Sequence, residues 1–371
     1  MSNYIPEKVA RLEEYTPTQD VFPIKLDANE SFLQLSPELR AELLQRIVTF
    51  DFCKYPDPGA ERLCAAYADY IGLPQDQVVA GNGSDELISI LISAFLEKGR
   101  KVLTFSQDFS MYRFYAGLAE MPCLVCEKDE NFEIDFDAAA QLARDQEVGL
   151  IIFSNPCNPV GNVFPKEKVF DFVRSVDALV VVDEAYMDFS DQSLVDRIDE
   201  TDNLVILRTC SKAFGMAALR LGFALSNWRI INSIRKVKSP FNVNSLSQTV
   251  GELVISQKEQ TARNIREIKE STARLYQGLK ALEGRCGLLE QVYPTQTNFI
   301  YIRCEKAKIV QSRLREEGIS IRAFGDGHLR ITAGSSAENQ RLLRELEQML
   351  SREEYVYEKI RGAAQHKGDA D

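Results

Sequence analysis

Apolar residues along the chain gather in short runs separated by stretches of helical spacing. Val78-Val79-Ala80, Lys101-Val102-Leu103-Thr104-Phe105, Cys123-Leu124-Val125-Cys126 and Gly149-Leu150-Ile151-Ile152-Phe153 read as strands, as do Ala178-Leu179-Val180-Val181-Val182, Leu204-Val205-Ile206-Leu207 and Leu221-Gly222-Phe223-Ala224-Leu225. Leu87 to Leu96, Met111 to Leu118, Asp137 to Arg144 and Lys166 to Arg174 carry helical spacing between them. Strands apolar at nearly every position are buried on both faces, so the alternation predicts an α/β fold with a mostly parallel sheet covered by helices.

The pattern changes after Pro240. Residues 244–284 read as one or two long helices, with apolar positions at 246, 250, 253, 254, 265, 268, 275 and 279. Thr297 to Arg303, Ile319 to Arg322 and His328 to Thr332 read as shorter strands, with helices between and after them. This predicts a smaller α+β domain. At the other end, residues 1–25 read as a short helix and an extended arm, and Leu26 to Ser31 as a polar loop. Ser36-Pro37 opens a helix that runs through Val48, with Ser as N-cap and Pro in the first position. Tyr55-Pro56-Asp57-Pro58-Gly59 is a turn, and a helix follows to about Ile71. The expected division is an N-terminal arm over 1–30, a large domain over 31–240, a small domain over 241–362 and a fraying tail over 363–371.

The chain has 371 residues, enough for two domains. Its formal net charge is −11 and it has no basic block, which excludes a nucleic-acid footprint and a polybasic membrane patch. No apolar run reaches the length of a membrane span, and Met1 to Lys8 lack a signal-peptide core, so a cytoplasmic protein is expected. The eight cysteines are scattered and form no disulfide framework. Cys123 and Cys126 have metal-ligand spacing but no second pair nearby, and packing explains them better; no metal is expected. Two histidines argue against His-rich metal sites and against a Ser-His-Asp hydrolase, and His328 reads as a loop or edge residue.

Ligands of open α/β sheets lie beyond the carboxyl ends of the strands. Polar residues fall there in four places. Thr209-Cys210-Ser211-Lys212, with Arg220 nearby, offers hydroxyls and a guanidinium for an anion plus one nucleophilic amine; a polar surface loop would look the same. Gly81-Asn82-Gly83-Ser84-Asp85 leads into a helix beginning near Glu86, either as a phosphate-binding turn or as an ordinary capped one. Asp183 ends an apolar strand and needs a cation or several donors, unless it caps the next helix. Asn158 sits between Pro156 and Pro159 in a rigid turn, and the Tyr186 hydroxyl follows Asp183 closely. Phe109 either stacks on a planar ring or belongs to the core. Arg330 lies inside a strand-like run, where a substrate carboxylate or an internal ion pair would balance it. Pyridoxal phosphate, a phosphorylated aldehyde held by a lysine Schiff base, satisfies the Lys212 cluster.

These motifs stand in the order found in a known family. From about Tyr15 to Ile331 the chain resembles fold-type I, class I/II aminotransferases of the aspartate aminotransferase superfamily, and more narrowly the histidinol-phosphate aminotransferases. The resemblance rests on Leu26-Asp27-Ala28-Asn29-Glu30, Tyr55-Pro56-Asp57-Pro58, Gly83-Ser84-Asp85-Glu86, Phe109-Ser110-Met111-Tyr112, Asn155-Pro156-Cys157-Asn158-Pro159-Val160-Gly161, Asp183-Glu184-Ala185-Tyr186 and Arg208-Thr209-Cys210-Ser211-Lys212-Ala213-Phe214. It implies a mostly parallel seven-stranded sheet in the large domain. It also implies that Lys212 carries pyridoxal phosphate, that Gly83, Ser84, Asp85, Thr209, Ser211 and Arg220 surround its phosphate, and that Phe109 stacks on its ring. Asp183 would meet the ring nitrogen, and Asn158 and Tyr186 the ring oxygen. Arg330, Arg322, Tyr15 and Asn29 would bind substrate, with Arg322 and Tyr15 on its phosphate. Tyr55 would reach the neighbouring subunit's cofactor, which implies a homodimer with shared sites. The expected activity is transfer of an amine from histidinol phosphate to 2-oxoglutarate.

The chain departs from the family pattern where Cys157 replaces the second Asn and Val160 replaces Thr, and where Ser31-Phe32-Leu33 follows the Asn-Glu pair. These changes bear on the substrate rather than on the cofactor. An aromatic or broad-specificity aminotransferase and a threonine-phosphate decarboxylase therefore stay open at this point. A cofactor-sensing regulator would need a DNA-binding module, and neither a leading helix-turn-helix nor a basic stretch is present.

Overall fold

The computed structural model describes residues 4–10, 12, 21–285 and 288–351. The strands among them are β1 (Ile24–Leu26), β2 (Val78–Asn82), β3 (Lys101–Phe105), β4 (Cys123–Cys126), β5 (Val148–Ser154), β6 (Leu179–Asp183), β7 (Leu204–Thr209), β8 (Leu221–Leu225), β9 (Gln291–Val292), β10 (Phe299–Arg303), β11 (Ile319–Phe324) and β12 (His328–Thr332). They form two sheets in two compact units. One unit includes Leu33–Arg266, and the other joins Asp20–Phe32 to the chain from Glu267 onward.

The first unit holds a seven-stranded sheet in the order β2-β8-β7-β6-β5-β3-β4. The pairs from β4 to β7 are parallel, as their unbroken apolar runs predict. β8 runs antiparallel to both β7 and β2. Its reversal sets Gly222 opposite both Gly81 and Thr209, so the end of β2 and the end of β7 meet at the start of β8. Helices cover the sheet because their apolar residues fall on one stripe. Helix Ser84–Ala94 buries Leu87, Ile88, Leu91 and Ile92 fully, and helix Trp228–Val237 buries Ile231 and Ile234. Aromatic rings fill another part of the core, with Phe136 4.9 Å from Phe172 and 5.7 Å from Phe164.

Helix Pro37–Val48 begins as its sequence predicts, with the Ser36 Oγ accepting from Leu39 N at 3.3 Å. The long helical region is two helices, Ser245–Ile255 and Lys258–Leu282, separated at Ser256 and Gln257. The first of these packs in the large unit, where Gly251 faces Leu63 and Leu221 closely enough that a Cβ would stand 2.8 and 2.5 Å from their methyl carbons. That packing holds the chain in the first unit past residue 240. Cys123 and Cys126 sit three apart on β4, so their side chains leave opposite faces of the strand. Among the described residues, no helix is long and apolar enough to cross a membrane.

The second unit holds a five-stranded sheet in the order β1-β11-β12-β10-β9. β1 pairs in parallel with β11, Ile24 opposite Ile319 and Leu26 opposite Ile321. The segment read as an extended arm and loop is therefore a strand from Ile24 to Leu26. Three residues are too few for a periodic signal, and the partner lies almost 300 positions away. The remaining pairs are antiparallel. Leu275 and Leu279 from the long helix, Leu314 from helix Ala307–Glu316 and Leu346 from helical residues 336–351 pack with Ile300, Ile302, Ile319, Leu329 and Ile331.

Candidate active site

The reversed strand β8 brings the loop after β2 and the end of β7 together. Gly222 is the residue where the loop after β2 approaches most closely: a Cβ there would lie 2.4 Å from Ser84 N and 2.5 Å from the Gly83 carbonyl carbon. Only glycine permits that approach. Gly83 itself has φ +84, and a Cβ on it would stand 2.9 Å from an Arg220 guanidinium nitrogen. The helix begins at Ser84 rather than near Glu86, with Gly83 at the cap position and no side chain capping it. Glu86 instead turns back to accept from Asn82 N at 2.6 Å. The first-turn N–H groups therefore stand beside the Arg220 guanidinium, which is held by Asp85 Oδ2 at 3.1 Å. Thr209 and Ser211 complete the cluster: their hydroxyls lie 3.0 Å apart, and Ser211 N donates to Thr209 Oγ1 at 3.1 Å. Two hydroxyls, a helix N-terminus and a guanidinium are the kinds of donor that an anion accepts from.

β6 places Asp183 between Ser154 and Leu207 at the carboxyl edge of the sheet. The carboxylate is buried; it accepts from the Tyr112 hydroxyl at 2.8 Å and from Ala185 N at 3.1 Å. Neither partner is a cation. Burial outweighs both hydrogen bonds and pushes its pKa up to about 7. Tyr186 is buried three residues on, and Lys212 Nζ stands 5.8 Å from the centre of its ring. Lys212 is half-buried, and its carbonyl accepts from Gly215 N at 3.2 Å in the turn that follows β7. Phe109 packs edge-on against Tyr112 at 5.5 Å, so the aromatic and the Asp183 hydroxyl donor come from one segment.

Asn158 is also buried at this edge. Its N–H donates to Ser154 Oγ at 3.0 Å, and its loop is closed by Asn155, whose side chain accepts from Phe164 N at 2.8 Å and donates to Phe164 O at 3.2 Å. Thus Gly83, Ser84, Asp85, Phe109, Asn158, Asp183, Tyr186, Thr209, Ser211, Lys212 and Arg220 all lie at the carboxyl edge of one sheet or in the loops that leave it. Tyr55 differs: it is 82% exposed and stacks on Phe241 at 4.7 Å.

The second unit carries the other expected residues. Arg322 and Arg330 are direct cross-strand partners on β11 and β12, so two cations share one face of the sheet. Like charges in that register repel, and an anion between them relieves the repulsion. The Arg330 guanidinium donates to Asp27 O at 2.8 Å and lies 5.4 Å from the Phe299 ring. Asn29 is buried with φ 54; its N–H donates to Thr332 Oγ1 at 2.9 Å, and its carbonyl accepts from Asn298 Nδ2 at 3.1 Å. His328 stacks on Tyr301 at 4.7 Å with an interplanar angle of 5°. Tyr15 lies outside the described residues.

Two contributors escape a reading of the sequence. Tyr112 looks like a core aromatic of an amphipathic helix, and only the fold aims its hydroxyl at Asp183. Gly222 sits in an apolar strand, where a lone glycine is the available signal for a close backbone approach.

Nearly the whole chain is similar to known proteins. Residues 23–346 match the family model described as aminotransferase class I and II. The chain is 39% identical over 354 residues to a histidinol-phosphate aminotransferase of Clostridium kluyveri, covering 94% of this chain and 97% of that one. It is 41% identical over 329 residues to a histidinol-phosphate aminotransferase of Clostridium novyi, covering 88% and 91%. The fold is similar to the crystal structure of histidinol-phosphate aminotransferase from Sinorhizobium meliloti in complex with pyridoxal-5'-phosphate, with a TM-score of 0.85 at 22% identity over 95% of this chain and 99% of that one.

Proposed function

Because the chain belongs to the aminotransferase class I and II family, we propose that it is a pyridoxal-phosphate-dependent histidinol-phosphate aminotransferase that uses 2-oxoglutarate as acceptor. The observation that carries the reading is 39–41% identity, along nearly their whole length, to relatives bearing that name. In the reaction the amine of the donor and the carbonyl oxygen of the acceptor change places, so the donor becomes a ketone and 2-oxoglutarate becomes glutamate.

The residues fit the cofactor on two counts. A Cβ at Gly222 would close the approach of Ser84 to β8, and the buried Asp183 carboxylate has a raised pKa that a cationic ring nitrogen would relieve. In this reading Gly83, Ser84, Asp85, Thr209, Ser211 and Arg220 hold the phosphate, Phe109 stacks on the ring, and Asn158 and Tyr186 donate to the ring oxygen. When bound, the cofactor supplies an aldehyde for amines and a ring that withdraws electrons from the substrate carbon. Lys212 Nζ takes the proton from the amine-bearing carbon and returns one in the opposite half-reaction, as general base and then acid. Asp183 stays ionised beside the ring nitrogen and keeps that nitrogen protonated. The Tyr186 ring lies 5.8 Å from the Lys212 amine.

Arg322 and Arg330 bind the acidic groups of donor and acceptor, with Tyr15 and Asn29 assisting. Tyr55, exposed beside Phe241, reaches the partner's cofactor in a homodimer. The enzyme works in the cytoplasm.

The test is a half-reaction screen. The loaded enzyme is mixed with single amino donors, histidinol phosphate included, and the absorbance of bound cofactor is followed. A fast change with histidinol phosphate and slow changes with aspartate and tyrosine are expected. No change with histidinol phosphate, or release of carbon dioxide from a phosphorylated amino acid, would overturn the substrate assignment.

A further inference from the structure

A buried charge cluster lies beneath the Asn158 loop, and none of its members has a part in the chemistry above. The Asp108 and Lys128 side chains are 1% and 0% exposed, with Lys128 Nζ 3.6 Å from Asp108 Oδ2. An ammonium has three protons to place. Here they meet the Asp108 carboxylate, Gln107 O at 3.3 Å and the Cys157 sulfur at 3.1 Å. Cys157 fits this arrangement because a thiol is small and accepts weakly, leaving room for the lysine stem. The Cys157 thiol also stands 3.3 Å from Gln107 O.

The carboxylate then ties two loops together. Asp108 Oδ1 accepts from Phe109 N at 2.8 Å and from the Ser154 hydroxyl, while Ser154 N lies 3.3 Å from both carboxylate oxygens. Ser154 Oγ in turn accepts from Asn158 N at 3.0 Å. One chain of hydrogen bonds thus runs from Phe109 through Asp108 and Ser154 to Asn158. Gln107, just before it, holds φ 44, a left-handed turn that a non-glycine residue adopts only when its surroundings hold it. Lys128 is the cation that makes a buried carboxylate tolerable at the hub. Lys128 is itself anchored through its backbone, since its N–H donates to Ser106 Oγ at 2.9 Å.

We infer that Asp108 and Lys128, with Ser154 as the link, are positioning residues that set Phe109 and Asn158 for the cofactor ring. The inference rests on the pyridoxal-phosphate reading above. A purely structural ion pair would change stability and leave the bound cofactor's spectrum alone. A positioning pair changes the spectrum, because displacing Asn158 removes a donor from the ring oxygen.

The experiment compares wild type, Ser154→Ala, Asp108→Asn and Asn158→Ala as full-length protein loaded with pyridoxal phosphate. Far-UV circular dichroism reports folding, equilibrium dialysis gives the cofactor Kd, and the pH midpoint of the bound-cofactor absorbance is titrated. Ser154→Ala and Asp108→Asn are expected to raise the Kd about tenfold and to move the midpoint upward by about one unit, toward the value of Asn158→Ala. The kcat should fall by about ten- to a hundredfold while the KM for histidinol phosphate stays within about threefold. Ser154→Ala combined with Asn158→Ala should add little to Asn158→Ala alone, since both break one chain. If Asp108→Asn leaves Lys128 unpaired and does not fold, Ser154→Ala decides, because it leaves the ion pair in place. A folded Ser154→Ala with the wild-type midpoint and Kd overturns the inference while the cofactor reading stands. A wild type that takes up no pyridoxal phosphate overturns the cofactor reading first, and this one with it.

Discussion

Asp183→Asn is the substitution whose consequences follow most directly from the geometry. In the cofactor-free protein the carboxyl is buried against a hydroxyl and an amide, and its pKa stands at about 7 rather than the ordinary 3.8. That difference of about three units corresponds to roughly 4 kcal/mol. The folded group holds its proton above the unfolded value, so its full contribution to stability is present below about pH 4. It is lost as pH rises through about 7, where the folded carboxyl ionises without a cation. Asparagine keeps the shape and an acceptor for Tyr112 but does not titrate. The apo wild type should therefore lose roughly 3 kcal/mol relative to apo Asp183→Asn between pH 5 and pH 8. Urea unfolding of both apo proteins at pH 5, 6, 7 and 8 measures this, and the difference between the two curves isolates the one carboxyl. Loading wild type with pyridoxal phosphate should flatten its curve, because the ring nitrogen supplies the missing cation, and Asp183→Asn should bind the cofactor more weakly. Parallel apo curves from pH 5 to pH 8 would refute the claim that Asp183 is destabilised by burial. A slope that survives loading would refute the claim that the cofactor is its partner.

Other outcomes follow from the same geometry. Lys212→Ala should lose turnover by at least about four orders of magnitude, and borohydride reduction of wild type should fix the cofactor's mass on the Lys212 peptide alone; turnover retained by the variant would remove the lysine from the chemistry. Gly222→Ala puts a methyl 2.4 Å from Ser84 N, and with backbone on that side the loop must move; about 1–3 kcal/mol of stability and at least about tenfold in cofactor affinity should be lost, read by thermal melts with and without pyridoxal phosphate. Arg322→Gln should raise the KM for histidinol phosphate by about tenfold or more and spare donors without a phosphate; equal losses for histidinol and histidinol phosphate would show that Arg322 does not read that group.

What the sequence makes legible here follows from what each signal consists of. Strands β3 to β7 are legible because each is a continuous apolar run bounded by polar residues, and Asp183 is conspicuous because it ends such a run. The reversal of β8 is harder to see, since Leu221 to Leu225 looks like any buried strand. Its signal is the link: from Thr209 to Leu221 the chain has too few residues for a crossover helix, so a parallel return is excluded. β1 is silent because three residues carry no period. Asp108 and Lys128 are silent for a different reason. Gln107-Asp108 and Glu127-Lys128-Asp129 belong to none of the runs or motifs singled out above, and the two meet because Phe105 pairs with Cys126 at the ends of β3 and β4.

The residues proposed to bind substrate obey the same rule with a sharper consequence. Arg322 and Arg330 each occur in an ordinary alternating strand, and nothing in their spacing along the chain relates them. Pairing β11 with β12 sets them directly opposite. A register shifted by one residue would send one of the two guanidinium groups to the other face and leave the sheet without a paired cationic site. The pairing of the two arginines is thus a property of strand register, and under the proposed function its specificity for an anion would depend on the backbone pairing of β12, whose Leu329 and Ile331 are buried on the opposite face. Substitutions at those two apolar positions that preserve the fold but loosen the strand should blunt discrimination between phosphorylated and unphosphorylated donors before they reduce turnover, because register is the only thing that brings the two arginines together.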